Sequence, residues 1–323
     1  MKAVLYTYAS DDPLGKFAVD FPELDWAVVR SPQEMGREAA DADIIVLANR
    51  VCTPELGAAI RGNASPALRW MHFLTAGLDR GIAMGLPAGV LVSNATGVKA
   101  PVVAEHAVTL LLAVARRIPE IHSNQLAHRW LRDETSPRMR SLDGMTVCIV
   151  GLGNIGREIA RKLAAFNVTS IGVSRAGKAE GEVAAVYPRE RLAEAAAQSD
   201  AIIVATSADE DSIRLVGATT FRAMKRGGLL VNIARGPIID EPALIAALES
   251  GEVGGAGLDV QMREPLPADS PLWDMPNVIV SPHVAGTGSS DYDAQKALFA
   301  KNLERFKTAR PLINQCQIPV QTP

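Results

Sequence analysis

The stretch VCIVGLGNIGREIARKLAAF, Val147 to Phe166, constrains this chain more than any other. An unbroken apolar run ends in Gly151, Gly153 and Gly156, and a helix-period pattern follows at once. Strand, glycine turn and helix in that order open a βαβ unit. The first glycine suits a tight turn, the second close approach of backbone to a pyrophosphate, the third close packing of helix on sheet. The helix N-terminus offers unpaired N–H groups and a favourable dipole to an anion. The glycine spacing alone is a weak signal, and a turn that binds nothing is the competing explanation. Its setting between strand and helix predicts a dinucleotide site.

Short β-branched runs alternate with helical patterns along the whole chain, the signature of an α/β protein. KAVLYTY, DWAVVR, DADIIVLAN, LRWMHFL and VLVSNA predict five strands in the first third. TVCIVGLG, VTSIGVSR, DAIIVATS, GLLVNIAR, GAGLDV and NVIVSPH predict six more. Several are apolar throughout, as expected of parallel strands covered on both faces. REIARKLAAF, ERLAEAAAQS and EPALIAALES supply helices between them, with gaps that suit right-handed crossovers. A length of 323 residues leaves room for about two domains. The boundary is expected near NATGVKAP, where Pro101 suits the first turn of the long helix PVVAEHAVTLLLAVARRI. SSDYDAQKALFAKNLERFK is expected to return to the first domain. The predicted architecture is two doubly wound parallel-sheet α/β domains with a cleft between them.

A formal charge of −3 gives no electrostatic lure for nucleic acid or an anionic membrane. Three scattered cysteines, Cys52, Cys148 and Cys316, point to a reducing compartment rather than to disulfides or zinc. MKAVLYTYAS reads as an opening strand rather than a signal peptide, and the ends of the chain leave little room for appended segments. The long apolar helix carries Glu105, His106 and an Arg pair, which favours a buried helix over a membrane span. The expectation is therefore a cytoplasmic protein with no nucleic-acid or membrane partner. No His/Cys/Asp/Glu grouping has metal-ligand spacing, so no metal is expected. His72 and His106 lie in apolar patterns and are expected to be packed, whereas His122 and His128 read as surface.

At the end of the second strand of the glycine unit, an NAD site normally places an acid for the adenosine ribose. Here Ser174 and Arg175 stand instead. Serine removes a charge that would repel an extra phosphate, and arginine adds a cation able to grip one through two donors. Lys178 would add a weaker, screened attraction. The pattern predicts NADP(H) as the preferred cofactor with NAD(H) possible; an Arg175 that merely points into solvent is the alternative.

Three further polar residues stand at the ends of apolar strands: Arg235 after GLLVNIA, Glu264 in the loop after GAGLDV, and His283 after NVIVSP. In an open parallel sheet the carboxyl ends of the strands share one edge, where ligands bind. Hydride transfer at a carbon bearing oxygen needs a group to move the hydroxyl proton, and histidine is suited to it. Glu264 can orient the imidazole, and Arg235 can pair with a substrate carboxylate. Each residue has an ordinary structural explanation by itself; together, beside a dinucleotide motif, they predict a catalytic set.

GVKAPVVAEHAVTLLLAVAR, LDGMTVCIVGLGNIGREIARKLAAF, FRAMKRGGLLVNIARGPIIDEPALIAALESGEVGGAGLDV and PLWDMPNVIVSPHVAG resemble, in order, the D-isomer-specific 2-hydroxyacid dehydrogenases. FLTAGLDRG and VSNATG carry a weaker likeness in the first domain. The resemblance implies a Rossmann domain, residues 99–286, inserted in a flavodoxin-like substrate domain, residues 1–98 and 287–323, and a homodimer joined through the Rossmann domains. It implies that Arg235 binds the 2-oxo acid, that Glu264 supports His283 as general acid/base, and that Asp259 lies near the nicotinamide. It places Asn154, Ile155, Ile233, Ala234, Arg235, His283 and Gly286 at the cofactor, Ala76 and Gly77 at the substrate carboxylate, and Arg235 and His283 against the substrate as well. ATSADEDS departs from the family pattern after the fourth Rossmann strand; the segment flanks the cofactor, which implies Thr206 as a contact. Ser174–Arg175 is similar to the NADP-using glyoxylate/hydroxypyruvate reductase branch, which implies NADPH-dependent reduction of a small 2-oxo acid to the D-2-hydroxy acid. An NAD-dependent enzyme for a bulkier substrate and a nicotinamide-sensing co-repressor-like binding module are the alternatives.

Overall fold

Five apolar runs form strands β1 (Lys2–Tyr6), β2 (Asp25–Val29), β3 (Ile44–Leu47), β4 (Trp70–Phe73) and β5 (Leu91–Asn94). They pair in parallel in the order β2-β1-β3-β4-β5. The computed structural model describes residues 1–7, 16–175, 183–288 and 291–317. Within them the chain divides into two compact units, Met1–Lys99 with Gly288–Pro323, and Ala100–Thr287.

The second unit holds β6 (Thr146–Val150), β7 (Thr169–Val173), β8 (Ala185–Tyr187), β9 (Ala201–Val204), β10 (Gly228–Asn232), β11 (Val253–Leu258) and β12 (Val278–Val280). Their order is β12-β11-β10-β9-β6-β7-β8, again all parallel. The two sheets make this a two-layered-face α/β protein in each unit, as the alternating pattern predicts. Strand β8 was not anticipated. It has three half-buried residues on the sheet edge, too few to build a recognisable apolar run.

The unbroken apolar runs have a direct cause in the packing. Along β6, Val147 and Ile149 enter one hydrophobic cluster while Cys148 and Val150 enter another on the opposite face. Ala201 and Ile203 against Ile202 and Val204 do the same along β9. Both faces are covered, so successive side chains are both apolar although they point apart.

The long apolar helix runs Ala100–Ala115 and stops short of Ile118, because Arg117 takes a left-handed conformation (φ 56°). A second helix, Ile118–Leu126, starts there. Among the described residues no helix is long and apolar enough to cross a membrane. The late helix Asp291–Lys307 belongs to the first unit. Its Phe299 and Leu303 pack with Ala3, Leu5, Phe17 and Trp70, and the Phe299 ring stacks on Trp70 at 5.2 Å between centroids.

His72, on β4, is fully buried in this unit. Its Nδ1 lies 2.8 Å from the Ser93 hydroxyl, which also accepts the Trp70 indole N–H at 2.9 Å. Its Nε2 has no hydrogen-bond partner among the described residues. Burial therefore pushes the His72 pKa down to about 3. The neutral ring is favoured by folding, so this contribution is complete above the ordinary value of 6.5 and is lost as pH falls toward 3. Each pH unit inside that window costs up to about 1.4 kcal/mol. Thermal melts at pH 7 and pH 5 are expected to separate by roughly 2 kcal/mol more in the wild type than in His72→Gln. Equal separations in the two proteins would remove His72 from the acid response.

Candidate active site

Strand order reverses between β6 and β9, and the glycine loop leaves β6 at that point. Gly151 takes φ +104°, a conformation that side chains rarely adopt. A Cβ on it would lie 2.7 Å from the backbone of Thr206, in the loop after β9. A Cβ on Gly156 would meet the Gly151 carbonyl oxygen at 1.9 Å, so the helix Asn154–Ala164 seats directly on the turn. Gly153 differs: a Cβ there would meet nothing within 4 Å. It is the N-cap of that helix, and no side chain caps it. The open face of Gly153 at a helix N-terminus fits a pyrophosphate, with the N–H groups of Asn154 and Ile155 as the first donors. Thr206 is half-buried, its backbone against the glycine turn.

At the ends of β7 and β8 the predicted specificity residues appear. The Ser174 N–H donates to the Tyr187 carbonyl at 3.0 Å. Arg175 is exposed and lies 3.4 Å from the Asp209 carboxylate. Lys178 lies outside the described residues.

The three residues predicted as catalytic stand on the loops after β10, β11 and β12. The Asn232 amide accepts from the Ala234 N–H and donates to the Arg235 carbonyl, at 3.1 Å each. That clamp turns the chain so that Ile233 and Ala234 are buried while Arg235 is exposed. A Cβ on Gly236 would meet the Gln261 carbonyl oxygen at 1.8 Å, so only glycine lets the β10 and β11 loops touch. Gln261 then donates its N–H to Glu264 Oε1 at 3.3 Å, and its side chain donates to the carbonyls of Leu258 and Ser281. His283 Nδ1 lies 2.8 Å from Glu264 Oε2. A carboxylate only accepts, so Nδ1 carries the proton and Nε2 is left as the working nitrogen.

Asp259 is buried, and what the structure gives it is the His283 segment rather than open space. Its carboxylate accepts the N–H groups of Val284 (3.0 Å) and Ala285 (2.9 Å) and the Ser281 hydroxyl (2.5 Å). His106 Nε2 stands 3.4 Å from the same carboxylate. The Asp259 carbonyl accepts the His283 N–H at 2.9 Å, holding that residue at φ 55°. Gly286 follows, half-buried. Asn232, Gln261, Ser281 and His106 were not predicted as site residues; their one sequence signal is a polar residue at the edge of an apolar run.

A cavity of about 570 Å³ adjoins the pair in this unit. Leu266, Trp273, Val280 and Pro282 give it apolar walls, and Glu264 and His283 line it too. In the other unit, the loop after β4 carries Ala76 and Gly77. The Ala76 carbonyl accepts from Asn94 at 2.7 Å and the Gly77 carbonyl from the Thr75 hydroxyl at 3.2 Å. Among the described residues neither N–H has an acceptor, which suits binding of an anion. No group of His, Cys, Asp or Glu among the described residues is arranged to hold a metal ion.

Residues 108–285 match the family model described as D-isomer specific 2-hydroxyacid dehydrogenase, NAD binding domain. The chain is 33% identical over 269 residues to a glyoxylate reductase of Korarchaeum cryptofilum, covering 80% of each. It is 33% identical over 293 residues to a glyoxylate reductase/hydroxypyruvate reductase of Mus musculus, covering 86% of this chain and 84% of the other. Among solved structures, the NADPH-dependent glyoxylate/hydroxypyruvate reductase of Sinorhizobium meliloti, in complex with NADP and sulfate, superposes with a TM-score of 0.81. That match is 26% identical and covers 98% of both chains.

Gly236→Ala is expected to destabilise the second unit by about 1–3 kcal/mol through the Gln261 contact. By parting the Arg235 and Glu264 loops it should also lower turnover by about tenfold or more. Thermal melts and initial rates check both; an unchanged rate would show that the two loops need not touch.

Proposed function

This chain belongs to the D-isomer-specific 2-hydroxyacid dehydrogenase family, and we propose that it reduces a small 2-oxo acid of the glyoxylate or hydroxypyruvate kind with NADPH. It is an oxidoreductase of CH–OH groups that uses a nicotinamide cofactor. The observation that carries the proposed roles is the 2.8 Å contact between His283 Nδ1 and Glu264. When bound, the nicotinamide supplies or accepts hydride at the substrate C2. His283 Nε2–H gives its proton to the carbonyl oxygen as C2 is reduced and takes it back in the reverse direction. Glu264 fixes the tautomer and balances the imidazolium charge before transfer. Arg235, exposed on its clamped turn, pairs with the carboxylate and polarises the carbonyl. That the N–H groups of Ala76 and Gly77 have no acceptor among the described residues supports the carboxylate role that the resemblance implies for them.

Gly151, Gly153, Asn154, Ile155 and Gly156 would hold the pyrophosphate, with Thr206, Ile233, Ala234, Asp259 and Gly286 beside the cofactor as backbone or loop contacts. Ser174 and Arg175 would take the 2′-phosphate. A homodimer through this unit is supported by the exposed apolar side chains of Ile118, Ile121, Leu126 and Trp130, the last 93% exposed. Free thiols at Cys52 and Cys148, both buried and pushed up to about 12, fit the cytoplasm. A second reading, a bulkier 2-oxo acid with an apolar side chain, is favoured by the apolar cavity beside His283.

His283→Ala and Arg235→Ala are each expected to lower kcat by about 10²-fold or more while leaving NADPH binding within about twofold. Near-normal turnover in either variant overturns its role. Initial rates with NADPH and NADH over a series of 2-oxo acids are expected to favour NADPH by about tenfold or more, from charge-assisted hydrogen bonds of roughly 1.5–3 kcal/mol. Rates equal or better with NADH overturn the cofactor reading, and kcat/KM rising with side-chain length favours the bulkier substrate.

A further inference from the structure

The loop after β9 carries an acid, Asp209, to the side chain of Arg175 at the end of β7. Asp209 accepts two parallel hydrogen bonds from Arg189, Nη1 to Oδ1 and Nη2 to Oδ2, each 3.0 Å. Arg189 follows β8, and its side chain is only 11% exposed. The Asp209 N–H also donates to Ser212 Oγ at 2.7 Å, in a reciprocal cap at the start of a short 3₁₀ turn. The carboxylate is thus built in by two elements. The Arg189 guanidinium bonded to it holds its carboxyl below the usual carboxylate range, so it is charged at neutral pH. Arg175 is 69% exposed and reaches the same oxygen, Oδ2, at 3.4 Å.

We infer that Asp209 is a specificity-determining residue that competes with the 2′-phosphate of NADP(H) for Arg175. This rests on the reading of Arg175 as the phosphate-binding residue. A phosphate arriving at Arg175 must share or displace the ion pair to Asp209, and it meets a fixed negative charge beside it. NADH, which carries a 2′-hydroxyl there, meets no such repulsion and finds a carboxylate of the kind that binds ribose hydroxyls. Asp209 therefore narrows the preference for NADPH below what Ser174 and Arg175 would set by themselves. Because Arg175 is exposed and its pair is screened, the effect is a modest one.

The test is fluorescence titration of the full chain with NADPH and with NADH. Asp209→Asn keeps a cap acceptor without the charge, and Asp209→Ser offers a second cap if the first variant is unstable. Adenosine 2′,5′-bisphosphate against 5′-AMP, in competition, reads the phosphate site without the nicotinamide. Both variants are expected to bind NADPH and the bisphosphate about two- to fivefold more tightly, with NADH and 5′-AMP unchanged or weaker. Unchanged or weaker NADPH binding in both variants overturns the inference. Arg175→Ala, measured alongside, separates the two levels. If it weakens NADPH while the Asp209 variants do not strengthen it, the role of Arg175 stands and that of Asp209 falls. If it leaves NADPH binding unaltered, the cofactor reading falls and takes the inference with it.

Discussion

The Asp259 carboxylate, 1% exposed, anchors the segment on which the candidate site depends. A buried charge costs several kcal/mol unless it is fully hydrogen-bonded, and here Val284, Ala285 and Ser281 all donate to it. The residues it binds flank His283, whose own N–H goes to the Asp259 carbonyl. The histidine is held at positive φ by its own backbone bond and those of its neighbours. Among the described residues its imidazole bonds to Glu264 alone. The strain of such a backbone conformation is sustained because the surrounding bonds over-determine it.

The same logic runs across the adjoining loops. Asn232 clamps the Arg235 turn, Gly236 lets that turn touch Gln261, and Gln261 bridges to both Glu264 and Ser281. Arg235, Glu264 and His283 are therefore carried on one laced surface beyond the carboxyl ends of β10, β11 and β12. The parallel order of the sheet puts the glycine loop after β6 at the same edge. The glycine loop and the His283–Glu264 pair share a scaffold because all the paired strands of this sheet run parallel.

Much of this was legible in the residues. The glycine trio, the apolar runs and the strand-end placement of Arg235, Glu264 and His283 are local patterns, and local patterns survive in a sequence. The order of strands was not, since it depends on which runs pair across long separations. Strand β8 escaped because three half-buried residues on an edge make no periodic signal. Asn232, Gln261 and His106 escaped because an anchoring side chain looks like any polar residue near a strand end. Asp209 is the sharpest case: an acid on the loop after β9 pairs with Arg175 at the end of β7. Adjacency of that kind is a property of the fold alone.

Because the glycine loop and His283 stand on one sheet, hydride and proton should reach the substrate carbonyl from fixed sides, and a single enantiomer should form. Chiral chromatography of the glycerate made from hydroxypyruvate and NADPH tests this most directly. The D-enantiomer, one molecule for each NADPH consumed, is the predicted result. Formation of L-glycerate, or NADPH consumed without glycerate, would contradict the account.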